Sequence, residues 1–440
     1  MTTHQLIQSL DIAALENHIN QAVNNINQNN KTILFIEPYG STLSLLKRGF
    51  EKGYNIIIFT ANSELRIVPG HIMALSKLIV QVDTANESQV LDLARQIHNK
   101  TCIDAVIPGF EYFVPVAAKL SKYFGLPGID VATVLNLRDK SLMRKNLECA
   151  GINIPRFKIV FSYDDLKNAI NSIGFPAVCK PVDAAGSVLV KKVENIQQAY
   201  QAASPILQNE NKLWGYELSR SLLYEQYIDG KEYSVEGIIS RGKVKHCSIT
   251  EKFVSDESEF IEIGHIVNPP LDINLELHIK KYVENVISVL KPDNCPFHAE
   301  LRIDSNGEPF LMEIAARLPG DKIGDLISLA TNNNFFDDIY HAYLGEPNHL
   351  DISHNATEQK QCAGIRFFYR PEIEKFAQVT GLQEAKSHLI EEICVYYQAN
   401  EIIPAFPKPL RRLGHVMMKS DVYQHLLTTL IMIDKSISFQ

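Results

Sequence analysis

Glu300 and Glu313 are the side chains whose type and spacing point most directly to chemistry. Between them lies Asp304-Ser305-Asn306-Gly307, and Asn-Gly flanked by alternating apolar residues is a strong hairpin signal. With Asn306 and Gly307 as a two-residue type I′ loop, Ser305 faces Glu308 and every cross-strand pair sums to the same number, so Glu300 falls opposite Glu313. Side chains so placed have Cβ atoms about 4.5–5.5 Å apart, where like charges destabilise. A cation belongs between them. Mg²⁺ typically combines one or two carboxylates with substrate phosphates and its own waters. A longer loop would slip the register and turn one glutamate to solvent. His298 and Arg302 share the face of Glu300 while Ala299, Leu301 and Ile303 line the other, so the polar face reads as a site.

Other candidates arrive from earlier segments. Phe175 to Pro181 reads as a strand that delivers Lys180, followed by the small-residue loop Asp183 to Ser187. Lysine binds phosphate as a point charge, and small loops let backbone N–H groups approach it. Taken singly, Lys140 and Lys180 read as solvated charges. Glu111 follows an apolar strand, where it either holds a substrate ammonium or starts a helix in solvent, favoured by the helix dipole. Glu262 and His265, three apart in a loop, either orient a reacting carboxylate or are incidental surface.

The frame must position these groups. The chain has 440 residues, 45% hydrophobic and 21% charged, enough for several domains with sizeable cores. The net charge of -8 and the lack of a basic stripe oppose nucleic-acid binding. Seven cysteines without Cys-x-x-Cys spacing argue against a disulfide framework or zinc knuckle. No apolar run of about 18 residues spans a membrane, and the amino terminus lacks a leader pattern, so a cytoplasmic location follows by default. Small molecules are the expected partners. Oligomeric state stays open, a homodimer being the commonest closed form.

Four apolar runs, Ile33 to Ile36, Ile56 to Phe59, Leu78 to Val82 and Ala105 to Ile107, alternate with helical stretches, which predicts a parallel sheet covered on both faces. Ligands sit beyond the carboxyl ends of such strands, at Glu37 to Ser41 and Pro108 to Glu111. Neither segment is a dinucleotide fingerprint. Residues 1–30 read as a short helix and an Asn/Gln-rich connector, with the folded chain beginning at Lys31. A second hairpin is expected at Arg241-Gly242, and Ile279, Val283, Val286, Ile287 and Leu290 have the spacing of a core helix. Val254 to Glu262 and His354 to Gln361 read as loop and linker.

The order of Asp139-Lys140, Cys179-Lys180-Pro181, Glu225-Gln226-Tyr227-Ile228-Asp229-Gly230-Lys231-Glu232, Glu300, Glu313 and Arg317 resembles the ATP-grasp superfamily over roughly residues 31–350. The resemblance implies an α/β and α+β chain: an ATP-grasp fold with an N-terminal Rossmann-like parallel-sheet domain and a small C-terminal α+β unit. The implied boundaries are an N-terminal helix and connector at 1–30, the Rossmann-like domain at 31–130, a linking helix at 131–155, a small subdomain at 156–235, a large subdomain at 236–350 and the C-terminal unit, read as a lid, at 360–440. It implies ATP with Mg²⁺, as two ions and with Mn²⁺ as an alternative. Lys140, Lys180 and Ser187 would face phosphates, Glu225 and the backbone of Gln226, Tyr227 and Ile228 the adenine edge, and Glu232 the ribose. Glu300 and Glu313 would hold the metal.

Within that superfamily the chain is similar to bacterial L-amino acid ligases, through Glu262 with His265, Arg317 four residues after the second metal glutamate, and the Gly414-His415-Val416 strand. The implied reaction activates one carboxylate as an acyl phosphate, from which an amine displaces phosphate. Arg317, His265 and Glu262 would serve catalysis, and Glu111 and Asp321 the substrate. Two departures stand out: Ser187-Val188-Leu189-Val190 replaces a glycine-rich loop, and Ala315 stands where an asparagine is common. Pro319-Gly320-Asp321 replaces a pocket-narrowing segment, so Asp321 is expected to favour a larger, polar or basic first substrate. The alternatives are a ligase for a non-amino-acid carboxylate in a secondary-metabolite or nucleotide pathway, and a non-catalytic nucleotide sensor.

Overall fold

The four apolar runs become four strands of a five-stranded parallel sheet. In the computed structural model, which describes residues 7–8, 12–63, 66–208, 212–255, 260–346, 361–382, 389–404 and 411–440, β1 (Ile7–Gln8), β2 (Thr32–Ile36), β3 (Asn55–Thr60), β4 (Leu78–Gln81) and β5 (Ala105–Pro108) pair in the order β1-β4-β3-β2-β5. Every residue of β2 and β3 is buried, as continuous Ile/Leu/Phe runs require when both faces are covered. The folded chain begins before Lys31, contrary to the sequence expectation. Ile7 pairs with Val80, and Ile19, Ala22, Val23 and Ile26 pack with Leu34 and Ile36. Ile19, Ala22 and Val23 follow helical spacing along a helix at Ile12–Asn24, the short helix expected in residues 1–30, and Ile26 lies just beyond its end.

The second unit is antiparallel. β6 (Phe157–Val160), β7 (Ala177–Pro181) and β8 (Lys191–Val193) precede a detached hairpin of β9 (Lys212–Leu213) and β10 (Tyr216–Glu217), and β11 (Leu222–Gln226) completes the order β6-β11-β7-β8. Helices at Tyr163–Ile173 and Ile196–Leu207 cover this sheet. The chain leaves it at Gly230, where a Cβ would sit 1.8 Å from the Ile303 carbonyl oxygen; glycine is needed because two backbones meet there.

β12 (Lys231–Ser240) already belongs to the next sheet, so the division falls near Gly230 rather than at 235. With β13 (Lys243–Val254), β14 (Glu262–Val267), β15 (Cys295–Ile303), β16 (Pro309–Ala315), β17 (Cys362–Tyr369), β18 (Val379–Thr380), β19 (Ile390–Val395), β20 (Arg412–Ser420) and β21 (Ser438–Phe439), the order is β16-β15-β12-β13-β14-β17-β20-β19, while β18 pairs β21. The C-terminal unit is therefore no separate lid: β17 pairs with β14 and extends the central sheet. The Arg241-Gly242 hairpin forms as expected, both residues having positive φ. Ile279, Val283, Val286, Ile287 and Leu290 pack a helix at Ile273–Leu290 against Phe297, Ala299 and Leu301. Residues 256–259 and 354–360 of the expected loop and linker lie outside the described residues.

Two register shifts aim the polar face. The β15–β16 loop is longer than predicted: Asp304 N–H bonds Glu308 O, and Gly307 takes φ 83, leaving three residues in the loop, a form that ends in a left-handed glycine. Leu301 pairs with Leu311, yet Glu300 pairs with Glu313, because Met312 is an extra residue on β16. The predicted pairing of the glutamates holds although the predicted loop does not; the bulge restores the face that the longer loop had shifted. On β14, Glu262 pairs with Val254 and Gly264 with Phe253. Ile263 is the extra residue there, which brings Glu262 and His265 to one side.

Candidate active site

The polar face runs across β12 and β15, where Glu232, Ser234 and Glu236 pair with Arg302, Glu300 and His298. Lys252 of β13 sits among them, its side chain 1% exposed. Its Nζ lies 3.1 Å from Glu232, 2.7 Å from Glu262 and 2.8 Å from Glu300. Burial alone would lower its pKa; Glu262, Glu300 and Glu232 instead hold it well above the ordinary lysine value. His298 bridges Glu236 at 2.8 Å and Glu300 at 3.1 Å. Burial disfavours its charge, but these two carboxylates push it up to about 9. Glu300 is thus served by two cations, and its carboxyl stays well below the usual range despite burial, through Lys252 and His298.

Lys140 and Lys180 reach the second glutamate strand from two directions. Asp139 caps the helix Lys140–Cys149 by accepting from the Ser141 and Leu142 N–H groups, which sets Lys140 and Arg144 four apart on one face. Lys140 Nζ bonds Glu313 at 3.0 Å and the Ala184 carbonyl at 2.7 Å. Arg144 and Lys180 both donate to the Met312 carbonyl, at 2.9 and 3.2 Å. That carbonyl belongs to the bulge residue. Glu225, 2% exposed, bonds Arg144 and Lys180, each at 2.6 Å. Its side chain is therefore a counter-ion to Arg144 and Lys180, where the resemblance implied a contact with the adenine edge. Burial would raise its pKa, but Arg144 and Lys180 keep it lowered.

The adenine and ribose expectations meet groups that already have partners. Gln226 and Tyr227 N–H groups donate to the Arg156 and Pro176 carbonyls, and the Ile228 carbonyl accepts from Arg302 at 3.0 Å. Glu232 faces Lys252 and Arg302. In the small-residue loop, Gly186, Ser187 and Leu189 have φ of 69, 54 and 59. The backbone adopts the left-handed shape that glycines take easily, with serine and leucine in place.

Glu111 is neither solvated nor open to a substrate ammonium. It is 2% exposed and lies 2.6 Å from Arg317 Nε and 3.5 Å from Arg138. Against the effect of burial, these two arginines lower its pKa. The glutamate fixes Arg317, which also donates to its neighbour's carbonyl, Leu318 O, at 2.9 Å.

Asp321 likewise departs from expectation. Arg412 of β20 grips it through two nitrogens at 2.6 and 2.9 Å, and His265 Nε2 lies 2.9 Å away. The carboxylate is already matched by a guanidinium, so it offers no free negative charge to a basic substrate. Arg412 also donates to the Glu262 carbonyl at 2.9 Å. Glu262, His265 and Asp321 have ligand atoms within 4.8 Å of one another, but Arg412 holds both Asp321 oxygens and His265 Nε2 already bonds the same carboxylate, so this group suits an internal ion network rather than a metal. Glu262 is pushed up by burial, with Asp321 and Glu300 adding to it and Lys252 opposing.

Glu300 and Glu313 present hard oxygens from adjacent strands, each side chain 24% exposed. Between them and Lys252 lies Ser234, its buried hydroxyl without a hydrogen-bond partner among the described residues. This donor set fits Mg²⁺ with part of its water shell. Sequence reasoning missed Lys252, Arg144, Arg138, Glu236 and Arg412. The alternation Thr250, Lys252 against Ile249, Phe253 could have pointed to Lys252; Arg412 carries no local signal.

Sheet order, the opposed glutamates and the two lysines meet in one class. A family model described as an ATP-grasp domain matches residues 173–325, and the chain carries an ATP-grasp domain. It resembles the alanine–anticapsin ligase of Bacillus subtilis, 26% identical over 249 residues, 53% of this chain and 52% of that protein. It also resembles the L-arginine-specific L-amino acid ligase of Bacillus subtilis, 22% identical over 243 residues, 53% of this chain and 56% of that one. The chain spans about half the length of these curated relatives. In fold it matches an L-amino acid ligase from Bacillus licheniformis with a TM-score of 0.79 at 22% identity, covering 93% of this chain and 99% of that one. Phosphoribosylglycinamide synthetase from Anaerococcus prevotii matches at 0.72 and 17%, covering 93% and 99%. Among the described residues no helix is long and apolar enough to cross a membrane.

Proposed function

We propose that the chain is an ATP-dependent carboxylate–amine ligase that joins two amino acids, or an amino acid and a similar acid, releasing ADP and phosphate. The observation that carries this is the pairing of Glu300 with Glu313, with Lys140 on Glu313 and Lys180 on the bulge carbonyl between the strands. Similarity to ligases named for alanine–anticapsin and for L-arginine supports amino acids as substrates.

Phosphoryl transfer needs positioning and charge neutralisation more than covalent help from the protein. Mg²⁺ held by Glu300 and Glu313 would neutralise phosphate oxygens. Lys140 and Lys180 add positive charge from the two flanking units. One carboxylate oxygen attacks the γ-phosphorus and ADP leaves; the amine nitrogen then attacks the carbonyl carbon and phosphate leaves with the bond electrons. Arg317, fixed by Glu111, stabilises the oxyanion formed in that second attack. Glu262, with its raised pKa beside His265, takes the proton that the amine loses.

The test is ADP release with Mg²⁺ and ATP across a matrix of L-amino acid pairs, with mass spectrometry of products and Glu313→Gln as control. A peptide product that disappears in the control supports the reading. No ADP release with any pair sinks it. ADP release with other carboxylic acids alone moves the substrate class, and nucleotide binding without turnover supports a sensor.

A further inference from the structure

The β9–β10 hairpin belongs to the small subdomain, yet its tip is seated in another unit. Trp214 and Gly215 form its two-residue turn, with φ of 57 and 84. Two positive φ values define the type I′ shape usually filled by Asn-Gly. A bulky residue in that region is an outlier, held only where surroundings over-determine it. The surroundings are aromatic. Trp214, 7% exposed, stacks on Phe110 at 4.7 Å and meets Tyr39 edge-on at 5.0 Å, and Arg66 donates to its carbonyl at 3.4 Å.

Both ring partners stand where a ligand would sit, beyond the carboxyl ends of β2 and β5. Phe110 precedes Glu111, and the Arg317 guanidinium lies 5.5 Å over its ring. Tyr39 lies within the electrostatic reach of Asp321 and Arg412. The three rings therefore form an aromatic wall that runs from the Arg317–Glu111 pair toward the Arg412–Asp321 pair. With Asp321 matched by Arg412, that wall offers aromatic faces rather than charge.

We infer that Trp214 determines substrate specificity: it closes the side-chain pocket of the amino acid held at Arg317, and limits that side chain to a small apolar group. This rests on the ligase reading. Because Trp214 arrives on the same unit as Lys180, the pocket is complete only while the small subdomain is seated. Amino-acid binding and nucleotide binding should then strengthen each other by the same factor, as linkage requires.

Trp214 is the single tryptophan of the chain, so its emission reports directly. The experiment titrates the full chain with glycine, L-Ala, L-Leu, L-Phe and L-Arg, with and without Mg²⁺ and a non-hydrolysable ATP analogue. A saturable emission change with L-Ala, tighter when the analogue is present, is expected; no change with an amino acid that the enzyme ligates overturns the inference. If nothing is ligated, the ligase reading fails on the ADP assay, while the titration still shows whether amino acids bind beside Trp214. Trp214→Ala should raise the ratio of kcat/KM for L-Phe over L-Ala about tenfold, and Trp214→Phe should keep it near wild type. Thermal unfolding checks that both variants fold. An equal loss toward every amino acid in a folded Trp214→Ala would assign the tryptophan a structural role only and overturn the proposal.

Discussion

Lys252 Nζ lies 2.8 Å from Glu300 Oε1, so the glutamate proposed as a metal ligand is already bound to a buried ammonium. The same nitrogen contacts Glu232 and Glu262. Lys252→Met leaves Glu300 with His298, Glu232 with Arg302 and Glu262 with His265 as the remaining basic partners. Breaking a buried ion pair from one side costs about 3–5 kcal/mol. The variant should lose stability of that order in urea unfolding, and added Mg²⁺ should recover more of it than in wild type, because a divalent cation can replace the lost charge at Glu300. Equal Mg²⁺ responses in the two proteins would count against Glu300 as a ligand.

Glu111 acts through Arg317, and its effect should depend on that arginine being present. Arg317→Lys should lower kcat by about 10²–10³-fold, the range for removing one preorganised oxyanion donor. Glu111→Gln frees the guanidinium from its 2.6 Å contact and should lower kcat by a smaller factor with little change in KM for ATP. Residues in contact couple, so the double variant should be no worse than Arg317→Lys alone. Multiplicative losses in kcat would mean that Glu111 touches substrate independently.

The pairing of Glu300 with Glu313 was legible in the sequence because a hairpin is local. Even so, the loop was one residue longer than predicted, and only the bulge at Met312 returned Glu313 to the face of Glu300. Bulges leave little trace in apolar alternation, yet this one also exposes the carbonyl that Arg144 and Lys180 share. Four of the five strands of the parallel sheet, β2 to β5, were legible as apolar runs for the same local reason. What stayed hidden are pairs that folding alone brings together. Arg317 and Glu111 are 206 positions apart, and Arg412 and Asp321 are 91 apart; no spacing rule links them, and Asp321 therefore read as a free charge.

Asp321 and Arg412 form a structural pair, which reverses the expectation that Asp321 attracts a basic substrate. Asp321→Asn should cost about 3–5 kcal/mol by leaving a guanidinium that is 12% exposed without its carboxylate. Asp321→Asn combined with Arg412→Met should be more stable than Asp321→Asn alone, since the uncompensated charge is gone. Relative kcat/KM for L-Arg and L-Ala should hardly change in Asp321→Asn. A selective loss toward L-Arg with unchanged urea stability would restore the substrate role.

Glu392 ties β19 to the segment after β16, and this contact should give the chain a measurable acid response. Lys322 Nζ lies 3.0 Å from its carboxylate and His415 3.5 Å from it. The His415 contact, aided by Lys322 against partial burial, draws the carboxyl from its ordinary 4.5 to about 2. A carboxylate whose pKa falls on folding stabilises the native state above its unfolded value, and that contribution disappears as pH drops through the folded one. The stability difference between wild type and Glu392→Gln should therefore be constant above pH 4.5 and shrink between 4.5 and about 2. The side chain is 37% exposed, so solvent screening keeps the difference to about 1 kcal/mol or less. Urea unfolding of both proteins across that window measures it. A difference that stays flat to the acid end would mean that Glu392 gains nothing from His415 and Lys322.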